Sequence, residues 1–289
     1  VNKKEEWLIV RSADPVIGTV TLTVQNIKRM LAFYIDVLGF RVYEQGQKKV
    51  SLTADGKTVL LKLEEDKGAK LRPPHTTGLY HIAFLLPERA DLADVIKHLA
   101  EIRYPLQGAS DHDVSEALYL ADPEGNGLEI YADRDAASWE WKKDQVFMTT
   151  KPLDIDDLLM DASGTGWNGM PSGTLIGHIH LQVSDLEDAK RFYCDGISFD
   201  PVLQYGSQAL FISWHKYHHH IGLNTWNSAG AGPPEEKSTG LKHFTIFFSD
   251  EAKRRKAVAR LEKLNAWIIE ENGAIITKDP SGIYLILEV

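Results

Sequence analysis

The chain has 289 residues, 43% of them apolar and 25% charged, with a formal net charge of −9 spread along its length. That size and balance suit a soluble globular protein with cores for about two domains of ~150 residues, and the acidic surplus argues against nucleic acid or an anionic membrane as a partner. No apolar run is long enough to span a bilayer, the start Val1-Asn-Lys-Lys-Glu-Glu-Trp lacks a signal-peptide core, and the lone Cys194 excludes an internal disulfide, so a reducing cytoplasm is the expected location.

In chain order, the alternating Val20, Leu22 and Val24 predict a strand, and Ile27, Met30, Leu31 and Tyr34 have helical spacing up to Gly39. Short strands follow at Arg41 to Glu44, Lys49 to Leu52 and Val59 to Leu63, the last two separated by the Asp55-Gly56 turn signal. The unit is β-α-β-β-β. A second unit starts at Gly78-Leu-Tyr-His-Ile-Ala-Phe84, carries a helix through Leu92, Val95, Ile96 and Leu99, and closes with a hairpin from Ala117 to Ala121 and from Gly127 to Tyr131. The segment from Asp133 to Thr174, with Trp139, Trp141, Pro152, an acidic stretch at Asp154 to Asp157 and a Gly/Ser-rich run, reads as a connector with some packed aromatic residues.

Beyond the connector the chain repeats itself. Gly18-Thr-Val-Thr-Leu-Thr-Val-Gln-Asn and Phe33-Tyr-Ile-Asp-Val-Leu-Gly-Phe return as Gly177-His-Ile-His-Leu-Gln-Val-Ser-Asp and Phe192-Tyr-Cys-Asp-Gly-Ile-Ser-Phe. The offset is 159 in both cases, 177 against 18 and 192 against 33, so spacing is kept along with the letters. The second unit's order returns after Gly240-Leu-Lys-His-Phe-Thr-Ile246, with a helix from about Asp250 to Leu264. Ser184 with Glu187 three residues on predicts a capping box at the third unit's helix start. The expected organisation is an α+β protein of four βαβββ modules in two repeated halves: a first pair over 15–132, the connector over 133–174 and a second pair over 175–289. Cys194 stands where the first copy has Ile35 and reads as a packing residue.

These paired modules, the Phe-Tyr-x-Asp-x-Leu-Gly-Phe motif and the closing hairpin Tyr119-Leu-Ala-Asp-Pro-Glu-Gly-Asn-Gly-Leu-Glu129 resemble the vicinal oxygen chelate superfamily, which includes glyoxalase I, bleomycin-resistance proteins and extradiol ring-cleaving dioxygenases. The resemblance implies metal ligands near the start of a module's first strand and on its last strand, contributed by two paired modules. The first module offers only Thr19 and Thr21. The second offers His81 and Glu129, which lies seven residues beyond Asp122; the third offers His178. The fourth offers His243, but Ile286 stands seven residues beyond Asp279. Two histidines and a carboxylate suit non-haem Fe(II), because three protein ligands leave open positions for a bidentate substrate and dioxygen. His81, Glu129 and His178 form such a set if modules two and three pair across the connector. The arrangement usual in extradiol enzymes would pair three with four and use His178, His243 and Glu288, two residues from the expected place but on the same strand face. The first set is preferred because every ligand in it is in register.

The resemblance also implies catalytic residues. Tyr119, ten residues before Glu129 on the partner strand, corresponds to an active-site tyrosine, and His112 in Ser-Asp-His-Asp-Val-Ser to a second active-site histidine, with the intervening segment two residues shorter than in the catechol 2,3-dioxygenase pattern. Tyr217-His-His-His-Ile-Gly-Leu, read as a strand, resembles an Arg-His-His-Ser-Leu-Ala-Leu segment, which aligns His219 with the acid/base histidine, His220 being the alternative; the arginine is replaced by Tyr217. A neutral imidazole with a pKa near 6.5 can take a proton from a bound diol and return it later. The implied activity is Fe(II)-dependent cleavage of a catechol-like aromatic diol by dioxygen, with ring substituents undetermined and a homo-oligomer compatible with the sequence. A glyoxalase-type isomerase, normally with four ligands, and a metal-free binding or resistance protein are the alternatives, and metal analysis separates the three.

Overall fold

The computed structural model describes residues 14–289; the start of the chain from Val1 to Trp7, read above for a leader, lies outside the described residues. Module one comprises β1 (Val16–Val24), α1 (Ile27–Leu31, widening into a π-helical turn over Ala32–Val37), β2 (Arg41–Gln45), β3 (Lys49–Thr53) and β4 (Val59–Glu65). Module two comprises β5 (Gly78–Leu85), α2 (Arg89–Glu101), β6 (Gly108–Asp111), β7 (Ser115–Ala121) and β8 (Gly127–Asp133). The connector holds the two-residue strands β9 (Trp141–Lys142), β10 (Gln145–Val146) and β11 (Lys151–Pro152), then α3 (Ile155–Met160). Module three runs through β12 (Leu175–Gln182), α4 (Leu186–Lys190, again widening over Arg191–Ile197), β13 (Asp200–Tyr205), β14 (Ala209–Ser213) and β15 (Ile221–Asn224). Module four follows with β16 (Gly240–Phe247), α5 (Glu251–Lys263), β17 (Trp267–Glu271), β18 (Ala274–Lys278) and β19 (Tyr284–Glu288).

The modules combine by nesting. One sheet has the strand order β17-β18-β19-β16-β1-β4-β3-β2 and so joins modules one and four; the other, β11-β6-β7-β8-β5-β12-β15-β14-β13, joins two and three. Each is stitched at its centre by the first strands of its two modules, antiparallel β1 with β16 and antiparallel β5 with β12. The cross-connector pairing of modules two and three is therefore the one the fold uses. Helix-to-hairpin contacts run the other way. The Tyr34 hydroxyl donates to Asp122 Oδ2 at 3.1 Å, linking module one to two, and Tyr193 donates to Asp279 Oδ2 at 3.0 Å, linking three to four. The repeated tyrosine and the Asp-Pro hairpin thus serve each other, while Asp122 Oδ1 accepts from the backbone amides of Glu124 and Asn126 to hold its turn.

Period-two alternation decides what each strand shows to which side. In β12, Ile179 and Leu181 enter the main core, as do Ile82 and Phe84 of β5 and Leu128 and Ile130 of β8. The intervening positions His178 and His180, His81, and Glu129, Tyr131 and Asp133 fall on the other face. Two details of the sequence reading change. The N-cap of α4 is Asp185, whose side chain accepts from the Asp188 amide, and not Ser184; an aspartate one residue nearer the helix competes successfully for the free amides. Tyr217 to His220 form a bend entering β15 and not a strand, because β15 begins at Ile221. Cys194 is part-buried among core residues and its thiol is pushed up to about 12 by burial, which suits packing. No described helix is long and apolar enough to cross a membrane.

Candidate active site

The polar face of the second sheet closes around a cavity of about 510 Å³. His81 on β5, Glu129 on β8 and His178 on β12 converge at its wall, each offering one donor atom within 4.8 Å of the others. Glu129 Oε2 lies 3.0 Å from His81 Nε2 and 3.2 Å from His178 Nε2, and all three side chains are less than one tenth exposed. The backbone explains the meeting: Ala83 is the parallel partner of Glu129, one β5 face step from His81, and His178 pairs with the same Ala83 from the other side.

Burial works to raise the Glu129 carboxyl, yet the two histidines outweigh it and hold that group well below the usual carboxylate range. Burial chiefly lowers His178 to about 4, against the pull of Glu129, so its imidazole is neutral near neutral pH. One carboxylate charge, the neutral His178 imidazole and the His81 ring meeting at a point are a donor set for a divalent cation. The Nε2 atom of His81 is fully buried and makes no aligned hydrogen bond despite its proximity to Glu129, so this nitrogen has no hydrogen-bond partner in the protein. A metal ion fits that observation.

Tyr119 on β7 stands directly opposite Glu129 in the register, and its hydroxyl lies 2.7 Å from His112 Nε2. His112 Nδ1 is 2.7 Å from the Thr149 carbonyl oxygen, which can only accept; Nδ1 therefore carries the proton and Nε2 accepts from the tyrosine. Burial first, and the Glu129 charge second, raise the Tyr119 phenol well above its ordinary value, so it stays a neutral donor. His219 reaches the cavity from the bend before β15, with its ring centroid 4.1 Å from that of His178. Burial lowers its pKa well below the ordinary histidine value.

The successive histidines of the bend point three ways. His218 donates toward Asp133, His219 lines the cavity, and His220 accepts from the Trp214 amide on the far side, outside the cavity. His243 on β16 and Glu288 on β19 belong to the other sheet and stand apart from the triad.

Several residues of the cavity were not singled out from sequence. His180, two positions beyond His178, faces His81 across β5 and β12 and packs edge-on to it, with ring centroids 5.0 Å apart and a buried Nε2 lacking a partner. Gly222 makes its place, because a Cβ there would sit 2.8 Å from the His180 ring. The repeated His-x-His of β12 carried the signal, since alternate residues share a face. Met148 and Thr149 of the connector also line the cavity, and Trp139 packs 5.1 Å from the His218 ring. Trp139 is one of the packed aromatic residues expected of the connector, but nothing in the local pattern of Met148 and Thr149 foretold their place, which the pairing of the connector's β11 with β6 creates.

The chain belongs to the glyoxalase/bleomycin resistance protein/dioxygenase superfamily, whose sequence profile matches residues 16–130 and 175–287. It is 43% identical over 276 residues to a catechol-2,3-dioxygenase of Bacillus subtilis, covering 94% of this chain and 96% of that one. It is 34% identical over 135 residues to biphenyl-2,3-diol 1,2-dioxygenase 3 of Rhodococcus globerulus, covering 45% of this chain and 69% of that one. Among solved structures, glyoxalase I from Zea mays superposes with a TM-score of 0.60 at 12% identity, covering 96% of this chain and 93% of that one, a likeness of fold.

Proposed function

We propose that the protein is an Fe(II)-dependent extradiol dioxygenase that opens the ring of a catechol-like diol with dioxygen. The observation that carries the reading is the convergence of His81, Glu129 and His178 on one wall of a cavity that His219, Tyr119 and His112 also line. The identity to a protein named catechol-2,3-dioxygenase over 94% of this chain supports the same chemistry.

His81, Glu129 and His178 would hold the iron, which when bound supplies a Lewis acid able to chelate both diol oxygens and to admit dioxygen beside them. The protein's own part is positional and protic. Its cavity, walled by Tyr80, Phe211, Leu203 and Met148, takes a flat aromatic ring out of water. His219, neutral through burial, takes a proton from a diol hydroxyl and later returns one to a developing oxyanion. The Tyr119 hydroxyl, its proton given to His112 in a hydrogen bond, stays neutral at the cavity wall on the strand beside Glu129 and turns its oxygen lone pair to the cavity as a hydrogen-bond acceptor.

The test is oxygen uptake by anaerobically iron-loaded protein over a panel of simple and substituted catechols. One dioxygen consumed per catechol, with a yellow ring-opened product, is the expected result. Protein with iron demonstrably bound that consumes no oxygen with any of them overturns the reading.

A further inference from the structure

Behind His219 lies a hydrogen-bonded chain that ends on a carboxylate. His219 Nδ1 is 2.8 Å from Nδ1 of its neighbour His218, and His218 Nε2 is 2.9 Å from Asp133 Oδ1. Asp133 Oδ2 accepts from the Tyr217 hydroxyl at 2.9 Å, so both carboxylate oxygens are engaged. With its proton committed there, Tyr217 can only accept from Tyr131, whose hydroxyl is 2.7 Å away. Both tyrosines are fully buried, and burial raises their phenols well above the ordinary value, so each keeps its proton.

Donor and acceptor bookkeeping along this chain has one neutral solution. An ionised carboxylate has no proton to give, so His218 donates from Nε2. A neutral His218 then presents a bare Nδ1, which accepts from Nδ1–H of His219. His219 is left with an unprotonated Nε2, the nitrogen free to face the cavity it lines. We infer that Asp133 and His218 are positioning residues that hold His219 in the one tautomer able to take a proton from the substrate. The inference rests on His219 being the acid/base of the proposed reaction.

The surroundings are shaped for the chain. Trp139 of the connector meets the His218 ring edge-on, and Tyr217 packs tilted against it with ring centroids 4.1 Å apart, which restrains the plane of the imidazole. Gly177 leaves the space that the Tyr131 hydroxyl fills; a Cβ at that position would collide with it. A carboxylate that locks an imidazole tautomer can matter strongly to rate, since replacing such an aspartate by asparagine in a hydrolase triad costs about 10⁴-fold in kcat with the geometry intact.

Nitrogen-15 spectra of histidine-labelled, metal-free protein read the tautomer without any turnover. Wild-type protein is expected to show His219 protonated at Nδ1 and bare at Nε2. A proton on Nε2 overturns the inference. In His218→Leu the His219 signals should move toward the Nε2–H form, and with iron loaded kcat should fall about tenfold or more while KM and iron content stay within about twofold. His218→Asn, whose side-chain oxygen can accept in place of Nδ1, should restore both the tautomer and most of kcat. Unchanged His219 signals or unchanged kcat in His218→Leu also overturn it. Should His218→Leu fail to fold, Asp133→Asn gives the same reading through a mixture of His219 tautomers, and a spectrum identical to wild type counts against the inference. Wild-type protein that binds iron yet cleaves no catechol defeats the proposed activity and leaves the tautomer result to stand or fall by its spectra.

Discussion

In the sheet of modules two and three, His180 faces His81 across β12 and β5, and Ala83 faces Glu129 across β5 and β8. In the sheet of modules one and four, Thr21 faces His243 and Thr245 faces Ile286 at the same places in the ladders. Both sheets even interrupt their central antiparallel pairing at the same point, after Ile17 in one and after Ile176 in the other. With equal scaffolding, only the side chains differ: Thr19 and Ile286 stand where the other sheet has His178 and Glu129. A backbone of this kind is therefore a frame that can hold a divalent ion, and three residues decide whether it does.

The largest effect expected from breaking this contrast is at Glu129. Glu129→Ala removes the one anionic donor of the set, and should abolish iron binding and lower activity by far more than the ~10–100-fold that loss of an outer-shell partner costs. His243→Ala and Glu288→Ala, in the other sheet, should leave iron content and turnover within about twofold. Metal analysis and oxygen uptake on the same preparations check both, and the opposite pattern would move the site to the first sheet.

Next in size is the separation of proton transfer from metal binding. His219→Ala should keep its iron and still bind the diol, with turnover lowered about a hundredfold or more. Tyr119→Phe, which keeps the ring and loses one hydrogen bond, should lose about tenfold. Loss of iron in His219→Ala would make that histidine a ligand.

The contrast can also be sharpened by construction. Thr19→His combined with Ile286→Glu copies the missing ligands beside His243, and should raise the metal bound at saturation from one ion per chain toward two, the new site being the weaker. An unchanged stoichiometry would mean that the frame alone does not suffice.

The smallest effect concerns His243 as a structural group. Burial lowers its pKa to about 4, below the unfolded value near 6.5, so the folded state binds fewer protons than the unfolded one between those values. The stability it contributes is present above pH ~6.5 and is lost as pH falls toward 4. Asp279, raised to about 6 chiefly by its own burial, acts in the opposite sense over pH ~4–6. It is common to wild type and variant, so it cancels in their difference. His243→Gln should therefore lose less unfolding free energy than wild type when pH falls from 7 to 4.5, by no more than about 1.4 kcal/mol per pH unit for one group, read as a smaller fall in Tm. Identical pH dependence of the two melting curves would exclude the effect.

Much of this molecule was legible in its sequence because repetition and alternation are local. Gly18 against Gly177, the Phe-Tyr-x-Asp ends, and the Asp-Pro hairpins gave four modules, and period-two spacing put His178 and Glu129 on strand faces that could meet. The same alternation could have revealed His180, which sits two residues from His178. Which modules share a sheet the sequence could only favour, through Glu129 being in register where Glu288 is displaced by two residues, since His81 and His178 are 97 positions apart and no local pattern links their strands. Tertiary structure chose modules two with three, through antiparallel β5 and β12, and so separated His243 and Glu288 from the triad. It also drew Thr149 and Trp139 out of the connector and ran Asp133 through His218 to His219. Those contacts depend on how a bend and a crossing segment pack against a finished sheet, and no period along the chain encodes that.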